Sequence, residues 1–341
     1  MIWSPAGSTA LLRKISLCLV IVLLTGLLAG CGSDEDTELM GSYAKSDSVV
    51  NYDVGAMKAA TFSPLLSQWF ICDVTEDMLT KDYVFDEEKE KRTGSVFVMD
   101  RTNNKLLLGY NMLADVYPAS ITKLMTALVI LKNCDTKELV TIDETVAAMK
   151  RGSNAVLDEG DVITVHNLLI VLLTVSANNA AVALARHLSG TEEEFVKLMN
   201  QEMDKLGANN TKFVNSSGLH IKDHKSTPYD LYVIYQECMK YQAFRDIMKL
   251  TQGEYEYTNK AGEQRVREYK TTNAFKLGMY KYPDGITILG GKTGTTDYAG
   301  YCLILHVKNR EGTEYLLGVF HCETEAKLYN KMTELMEQYC K

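Results

Sequence analysis

The sequence predicts a fold of the α/β class, of α+β type: one antiparallel sheet assembled from both ends of a domain, flanked by helices and carrying an inserted helical subdomain. Three observations carry that prediction. Strand signals appear early, from Gly94 to Tyr110, and return late, from Ile286 to Phe320. Between them, to about Gly253, apolar residues recur mainly at helical spacing. After the late strands, Glu325 to Tyr339 reads as an amphipathic helix that can cover one face of the sheet.

Taken in order, residues 1–30 read as a signal segment: Arg13-Lys14, the apolar run Ile15 to Leu28, then small residues. The run is short for a membrane-spanning helix. The end of the segment, Leu28-Ala29-Gly30-Cys31, resembles a bacterial lipoprotein processing site, which makes Cys31 the expected lipidation site; an ordinary signal peptide or an uncleaved anchor are the alternatives. The expectation is an extracytoplasmic domain held to the cell membrane by an N-terminal lipid. Residues 31–84 read as a polar tether and short N-terminal extension, with a patch from Phe62 to Val74 that suits a short helix and strand, and 85–341 as the folded domain.

Gly94 to Asp100 predicts a strand, Thr102-Asn103-Asn104 a turn, and Lys105 to Tyr110 its partner. A helix follows at Tyr117-Pro118-Ala119-Ser120-Ile121-Thr122-Lys123, where Pro118 suits the first turn and Ile121, Leu124, Met125 and Leu128 mark an apolar face. Further helices are predicted at Val165 to Thr174, Asn179 to His187, after the capping box Thr191 to Glu194, and at Pro228 to Lys240. The late strands are Ile286 to Leu289, leading into Gly290-Gly291-Lys292-Thr293-Gly294-Thr295, then Tyr301 to Val307 and Tyr315 to Phe320.

The chain has 341 residues, 46% of them hydrophobic, and a net charge of −8, enough for a sizeable core and unfavourable to nucleic acid as a partner. Cysteines outside the signal segment and Cys31 are Cys72, Cys134, Cys238, Cys302, Cys322 and Cys340; none forms a Cys-x-x-Cys pair or a zinc spacing, so no metal and no cofactor are expected.

Three short segments carry chemistry. Ser120 and Lys123 are three apart at a helix start, so their side chains are neighbours, and an amine on so apolar a helix loses proton affinity through desolvation. The pair reads as nucleophile and base. A Ser-x-x-Lys match arises by chance roughly once in a chain of this length, and Ser42 to Lys45 is a second one, but no apolar helix follows it. Ser176-Ala177-Asn178 gathers polar side chains between two apolar helices, where Asn178 could equally serve as a helix cap. Lys292-Thr293-Gly294 follows two glycines near a strand start, where glycine lets a backbone or ligand approach closely.

In this order the set Ser-x-x-Lys, Ser-x-Asn, Lys-Thr-Gly resembles penicillin-binding proteins and serine β-lactamases. Tyr117-Pro118-Ala119-Ser120 with Thr126-Ala127-Leu128, Phe213-Val214-Asn215 with Gly218-Leu219, and Lys292 to Thr296 with Ala299-Gly300-Tyr301-Cys302 narrow the resemblance to low-molecular-mass D-alanyl-D-alanine carboxypeptidases, from Gly94 to the C-terminus. The resemblance implies a β-lactamase-like fold and a peptidoglycan stem peptide as substrate. It further implies covalent capture of β-lactam antibiotics on Ser120, with Lys123 as base. Ser176 and Asn178 would complete the catalytic group, Lys292 and Thr293 would bind the substrate carboxylate, and Gly294 with Thr295 would line the oxyanion site together with the Ser120 N–H. His220 and His224 read as loop residues rather than catalytic ones.

The sequence departs from the resemblance where an arginine common after the last strands is not evident in Leu317 to Ala326, and His321 and Glu323 stand instead. A β-lactamase is the nearest alternative, but the Glu-x-x-Leu-Asn segment of class A enzymes is not found, so slow release of bound penicillin is expected. A DD-endopeptidase shares all three motifs. A non-catalytic wall-binding lipoprotein is a further alternative, disfavoured because the motifs are intact.

Overall fold

The computed structural model describes residues 94–341. The signal segment, Cys31, the tether with its patch from Phe62 to Val74, the domain start at 85, Cys72 and the second Ser-x-x-Lys all lie outside the described residues. Along the chain, β1 (Ser95–Asp100) and β2 (Lys105–Tyr110) lead to a 3-10 turn (Ala119–Thr122) and α1 (Lys123–Asn133). Then come β3 (Leu139–Thr141), α2 (Glu144–Ala147), β4 (Val162–Thr164), α3 (Val165–Leu173) and α4 (Asn178–Ser189). They are followed by α5 (Glu192–Leu206), α6 (Pro228–Cys238) and α7 (Gln242–Lys249). The hairpin β5 (Gln252–Thr258) and β6 (Gln264–Lys270) precedes β7 (Thr287–Thr296), β8 (Gly300–Lys308), β9 (Glu314–Cys322) and α8 (Glu325–Tyr339).

The main sheet has the order β2-β1-β9-β8-β7, with every neighbouring pair antiparallel. Early and late strands therefore share one sheet, as expected. The reason lies in β1, where all six residues are buried and successive side chains point to opposite faces. Val96 and Val98 enter a core with Leu303, Leu317, Val319 and the α8 residues Met332 and Leu335. Phe97 and Met99 face the other way, onto Leu124, Leu128, Tyr232 and Tyr235 of the helical region. Each fully buried Leu, Met or Phe contributes about 1.5–3 kcal/mol relative to exposure, so both helical layers are firmly attached to the sheet.

Predicted helices match closely where a cap and an apolar run coincide. Thr164, Thr191 and Thr227 each accept a hydrogen bond from the N–H three residues on, and Pro228 follows in the first turn of α6. Burial of α1 goes beyond the apolar face marked by Ile121, Leu124, Met125 and Leu128: every residue from Lys123 to Ile130 is buried. This is the central helix of the domain, enclosed on all sides.

The stretch read as helical to about Gly253 also needs correction, because β3 and β4 lie within it and join β5 and β6 in a second sheet of order β3-β4-β5-β6. Two of these strands have three residues, and in the β5–β6 hairpin Tyr255 and Tyr269 are the buried positions. Such short or solvent-facing strands leave almost no apolar alternation to read. Lys292 is likewise not near a strand start but inside β7, whose register shifts between Ile288 and Gly290. That bulge divides the apolar pattern and hides the continuity of the strand.

Candidate active site

Three elements bring the sequence motifs together. The 3-10 turn and the start of α1 carry Ser120 and Lys123, the loop between α3 and α4 carries Ser176, and Asn178 opens α4. Lys292, Thr293, Gly294 and Thr295 lie on β7, the edge strand of the main sheet. An edge strand leaves every second pair of backbone groups unpaired and available to an extended peptide.

Close approach of these elements is a glycine property. A Cβ at Gly294 would lie 2.9 Å from the Pro118 carbonyl oxygen and 3.1 Å from the Ser120 nitrogen. On the opposite side Gly218, at φ +85, would place a Cβ 1.8 Å from the Ala119 carbonyl oxygen. The nucleophile turn is thus held between two glycine backbones. Ala119 at φ 47 and Ser176 at φ 63 occupy the left-handed region without being glycine. Such conformations cost on the order of 1–3 kcal/mol each and persist where surrounding contacts impose them.

Lys123 is fully buried, and its Nζ lies 3.0 Å from Ser120 Oγ, 2.7 Å from Asn178 Oδ1 and 2.6 Å from the Ser217 carbonyl oxygen. All three partners are neutral. Burial, and then the nearby Lys292, push its pKa well below the ordinary lysine value. A neutral amine has two N–H donors and one lone pair. Asn178 Oδ1 and the Ser217 carbonyl can only accept, so they take both donors and the lone pair is left facing the Ser120 hydroxyl. That is the arrangement of a base beside its nucleophile.

Lys292 is also fully buried; its Nζ donates to Ser176 Oγ at 2.8 Å and to the Thr293 carbonyl at 2.9 Å, and burial lowers its pKa to about 7. Ser176 and Asn178 therefore hold one lysine each, two residues apart. Asn178 is not the helix cap that sequence allowed, since Ala177 occupies that position. Its side chain instead bridges Lys123 and the Arg151 carbonyl, to which Nδ2 donates at 3.0 Å. Predicted site residues thus form two hydrogen-bonded groups, Ser120–Lys123–Asn178 and Ser176–Lys292–Thr293, with Gly294 packed against the Ser120 backbone; Cys31 lies outside the described residues.

Several supporting roles escaped the sequence reading, although Asn215 and Gly218 were part of the resemblance. Asn215 Oδ1 accepts from the N–H groups of Ser217 at 3.1 Å and Gly218 at 2.7 Å, and Glu192 Oε1 accepts from Ser216 N–H at 2.9 Å and from its hydroxyl at 2.6 Å. Together they aim the Ser217 carbonyl at Lys123. Thr272 donates its N–H to the Thr174 carbonyl at 3.0 Å, while its hydroxyl meets that of Thr293 at 2.6 Å. It ties the Ser-x-Asn loop to β7.

His224 is a loop residue, as expected, and is buried as a support for the site. Its Nδ1 accepts from Val214 N–H at 3.0 Å, so Nε2 carries the proton and donates to Thr122 Oγ1 at 2.8 Å. Burial and the neighbouring His220 and Lys123 lower its pKa to about 4, which keeps it neutral at ordinary pH. His220 stacks on Tyr298 at 3.7 Å and meets Tyr117 edge-on at 4.7 Å, linking the chain before Ser120 to the turn after β7. No local sequence spacing signals these contacts, because their partners are brought together only by the fold. Of the two residues standing where an arginine was looked for, His321 has φ 65 and Glu323 pairs with Lys327 at 2.9 Å.

Comparison with known proteins agrees with this geometry. Residues 83–320 match the Peptidase_S11 family, described as D-alanyl-D-alanine carboxypeptidase. The chain is 33% identical over 248 residues to D-alanyl-D-alanine carboxypeptidase DacF of Bacillus subtilis, an alignment covering 71% of this chain and 61% of that protein. It is 30% identical over 221 residues to a D-alanyl-D-alanine endopeptidase of Escherichia coli, covering 64% and 68% of the two. The chain thus spans less than two thirds of the Bacillus relative. The crystal structure of the Streptomyces K15 DD-transpeptidase superposes with a TM-score of 0.65 at 28% identity, covering 71% of this chain and 94% of that one. Motifs, fold and relatives converge: this chain belongs to the Peptidase_S11 family of D-alanyl-D-alanine carboxypeptidases.

Proposed function

We propose that the protein is a serine-type D-alanyl-D-alanine carboxypeptidase that removes the terminal D-alanine from peptidoglycan stem pentapeptides. The observation that carries this reading is the geometry of Lys123, whose buried Nζ stands 3.0 Å from Ser120 Oγ while Asn178 Oδ1 and the Ser217 carbonyl can only accept from it, so that the neutral amine has a lone pair left for the Ser120 hydroxyl. In the reaction Ser120 Oγ attacks the carbonyl between the two D-alanines while its proton passes to Lys123. The oxyanion is held by the N–H groups of Ser120 and Thr295, beside Gly294; losing one such donor typically costs on the order of 10² to 10³ in rate.

Collapse of the tetrahedral intermediate breaks the peptide bond. Lys123 returns the proton through Ser176 to the leaving amine, and water then cleaves the Ser120 ester. Protonated Lys292 and the Thr293 hydroxyl hold the substrate carboxylate. A β-lactam enters as the same acyl donor, but its leaving group stays tethered, and release is slow.

The family match over residues 83–320 supports reading 85–341 as the catalytic domain; from the sequence alone we further propose that 1–30 is a signal segment and that lipid on Cys31 holds the enzyme to the outer face of the cell membrane. Fluorescent penicillin should label the purified protein covalently, and Ser120→Ala should abolish labelling. An unlabelled wild-type protein would favour a wall-binding scaffold, and rapid turnover of a chromogenic β-lactam would favour a β-lactamase. Mass analysis after incubation with a stem pentapeptide and with a cross-linked dimer separates terminal trimming from endopeptidase cleavage, the activity in the name of one relative.

A further inference from the structure

At the ends of α1 and α4 opposite Lys123 and Asn178, three side chains of metal-binding type converge. Cys134 caps the C-terminus of α1, Glu138 stands in the turn before β3, and His187 lies in the last turn of α4. Their ligand atoms all lie within 4.8 Å of one another. We propose that Cys134, Glu138 and His187 form a binding site for a thiophilic divalent cation of the zinc class, one that fastens the far ends of the two helices carrying the catalytic amine and its asparagine.

Four features support the assignment. Sulfur, imidazole nitrogen and carboxylate oxygen are the donor set that zinc-class ions take, three protein ligands leaving one position for water. Donors around a tetrahedral zinc ion stand roughly 3.3–3.8 Å apart, given bonds of about 2.0–2.3 Å, so side-chain movement of about an ångström closes the site. His187 Nε2 and Glu138 Oε2 already stand 2.8 Å apart.

Glu138 is also oriented. Its Oε1 accepts the Asp135 N–H at 2.7 Å, its backbone N–H donates to the Asp135 carbonyl at 3.0 Å and its carbonyl accepts Val165 N–H at 2.9 Å, so Oε1 is held and Oε2 is the oxygen turned toward His187. Such supporting bonds around a ligand are characteristic of metal sites. On binding, the Cys134 thiol gives up its proton to solvent as sulfur ligates.

Sequence spacing gave no hint of the site, since Cys134 and Glu138 are four apart across a helix end and His187 arrives from another helix. The simplest rival is a surface His–Glu ion pair with a thiol beside it. Titrating the purified protein with cobalt(II) separates the two, because only ligation by sulfur produces thiolate-to-cobalt charge-transfer absorption. One equivalent should develop that absorption, and native mass spectrometry with zinc should find one ion per chain. Cys134→Ser and His187→Ala should each abolish the absorption, and Glu138→Gln should weaken binding 10- to 100-fold.

All three variants should keep the wild-type far-ultraviolet circular dichroism, which shows them folded and keeps this test separate from that of the proposed activity. An absorption unchanged in Cys134→Ser, or no binding by the folded wild-type protein at micromolar cobalt or zinc, overturns the site.

Discussion

At the scale of single residues, the proposed chemistry rests on two lysines that burial strips of proton affinity to different degrees. Lys123 lies far below its ordinary range, through burial and then Lys292, whereas Lys292 is lowered to about 7 by burial alone. One site can therefore hold a neutral amine beside the nucleophile and a cation beside the carboxylate pocket near neutral pH. The sign of the pH dependence follows. Below its pKa Lys292 is charged and attracts a carboxylate; as pH rises through about 7 in the free enzyme that charge is lost, so kcat/KM for a stem pentapeptide should decline on the alkaline side. A bound carboxylate favours the charged lysine, so the decline in kcat should come at higher pH than that in kcat/KM. Steady-state rates from pH 5 to 10 check both limbs. A peptide whose terminal carboxylate is capped as an amide should react poorly throughout and lack the alkaline decline; if it declines in parallel, Lys292 is not the group responsible.

At the scale of elements, the site exists because loops are fastened to one another across the groove. Thr272 shows how little material this takes: one backbone N–H to the Thr174 carbonyl and one hydroxyl to Thr293. Replacing Thr272 by valine keeps the shape and removes the hydroxyl, at a cost of about 1 kcal/mol, or roughly fivefold. KM for the pentapeptide should rise by about that factor with kcat changed less than twofold and the melting temperature unmoved, since Thr272 is exposed. A fall in kcat with KM constant would place Thr272 in the chemical step instead. The same fastening explains what sequence can and cannot display. The Ser120/Lys123 pairing was legible because residues three apart on a helix are neighbours wherever the helix goes, and α8 was legible because its apolar stripe is regular. Ser217, Glu192, Thr272 and His224 were not, because each acts on a partner far along the chain. The β5–β6 hairpin stayed hidden for a different reason: it is mostly solvent-facing, so burial imposes little pattern on it.

At the scale of the whole molecule, the domain carries its active site as a cost to stability. The main sheet is buried on both faces, and α1 is buried all round, so Lys123 and Lys292 sit where side chains of similar length such as methionine would pack without any charge to desolvate. For Lys292 the folded pKa is about 7 against an ordinary value of 10.5. The unfolded chain thus binds a proton that the folded chain does not between those values, and stability contributed by this residue rises with pH across that window. Below pH 7 the penalty is present in full, and above about 10.5 it is gone. Lys292→Met removes the penalty while leaving Ser176 Oγ and the Thr293 carbonyl without their amine, at about 1 kcal/mol each. The variant should therefore unfold at higher temperature than the wild type at pH 6, by the equivalent of about 1–3 kcal/mol, with the gain shrinking as pH climbs to 10. Acylation by penicillin should fall by at least about 10²-fold, because in the proposed mechanism the lost cation both binds the carboxylate and keeps Lys123 neutral. Calorimetry at a series of pH values beside labelling rates checks the pair of effects. A variant less stable than the wild type at every pH would mean that the Lys292 hydrogen bonds outweigh its desolvation, and that the site is a net contributor to folding.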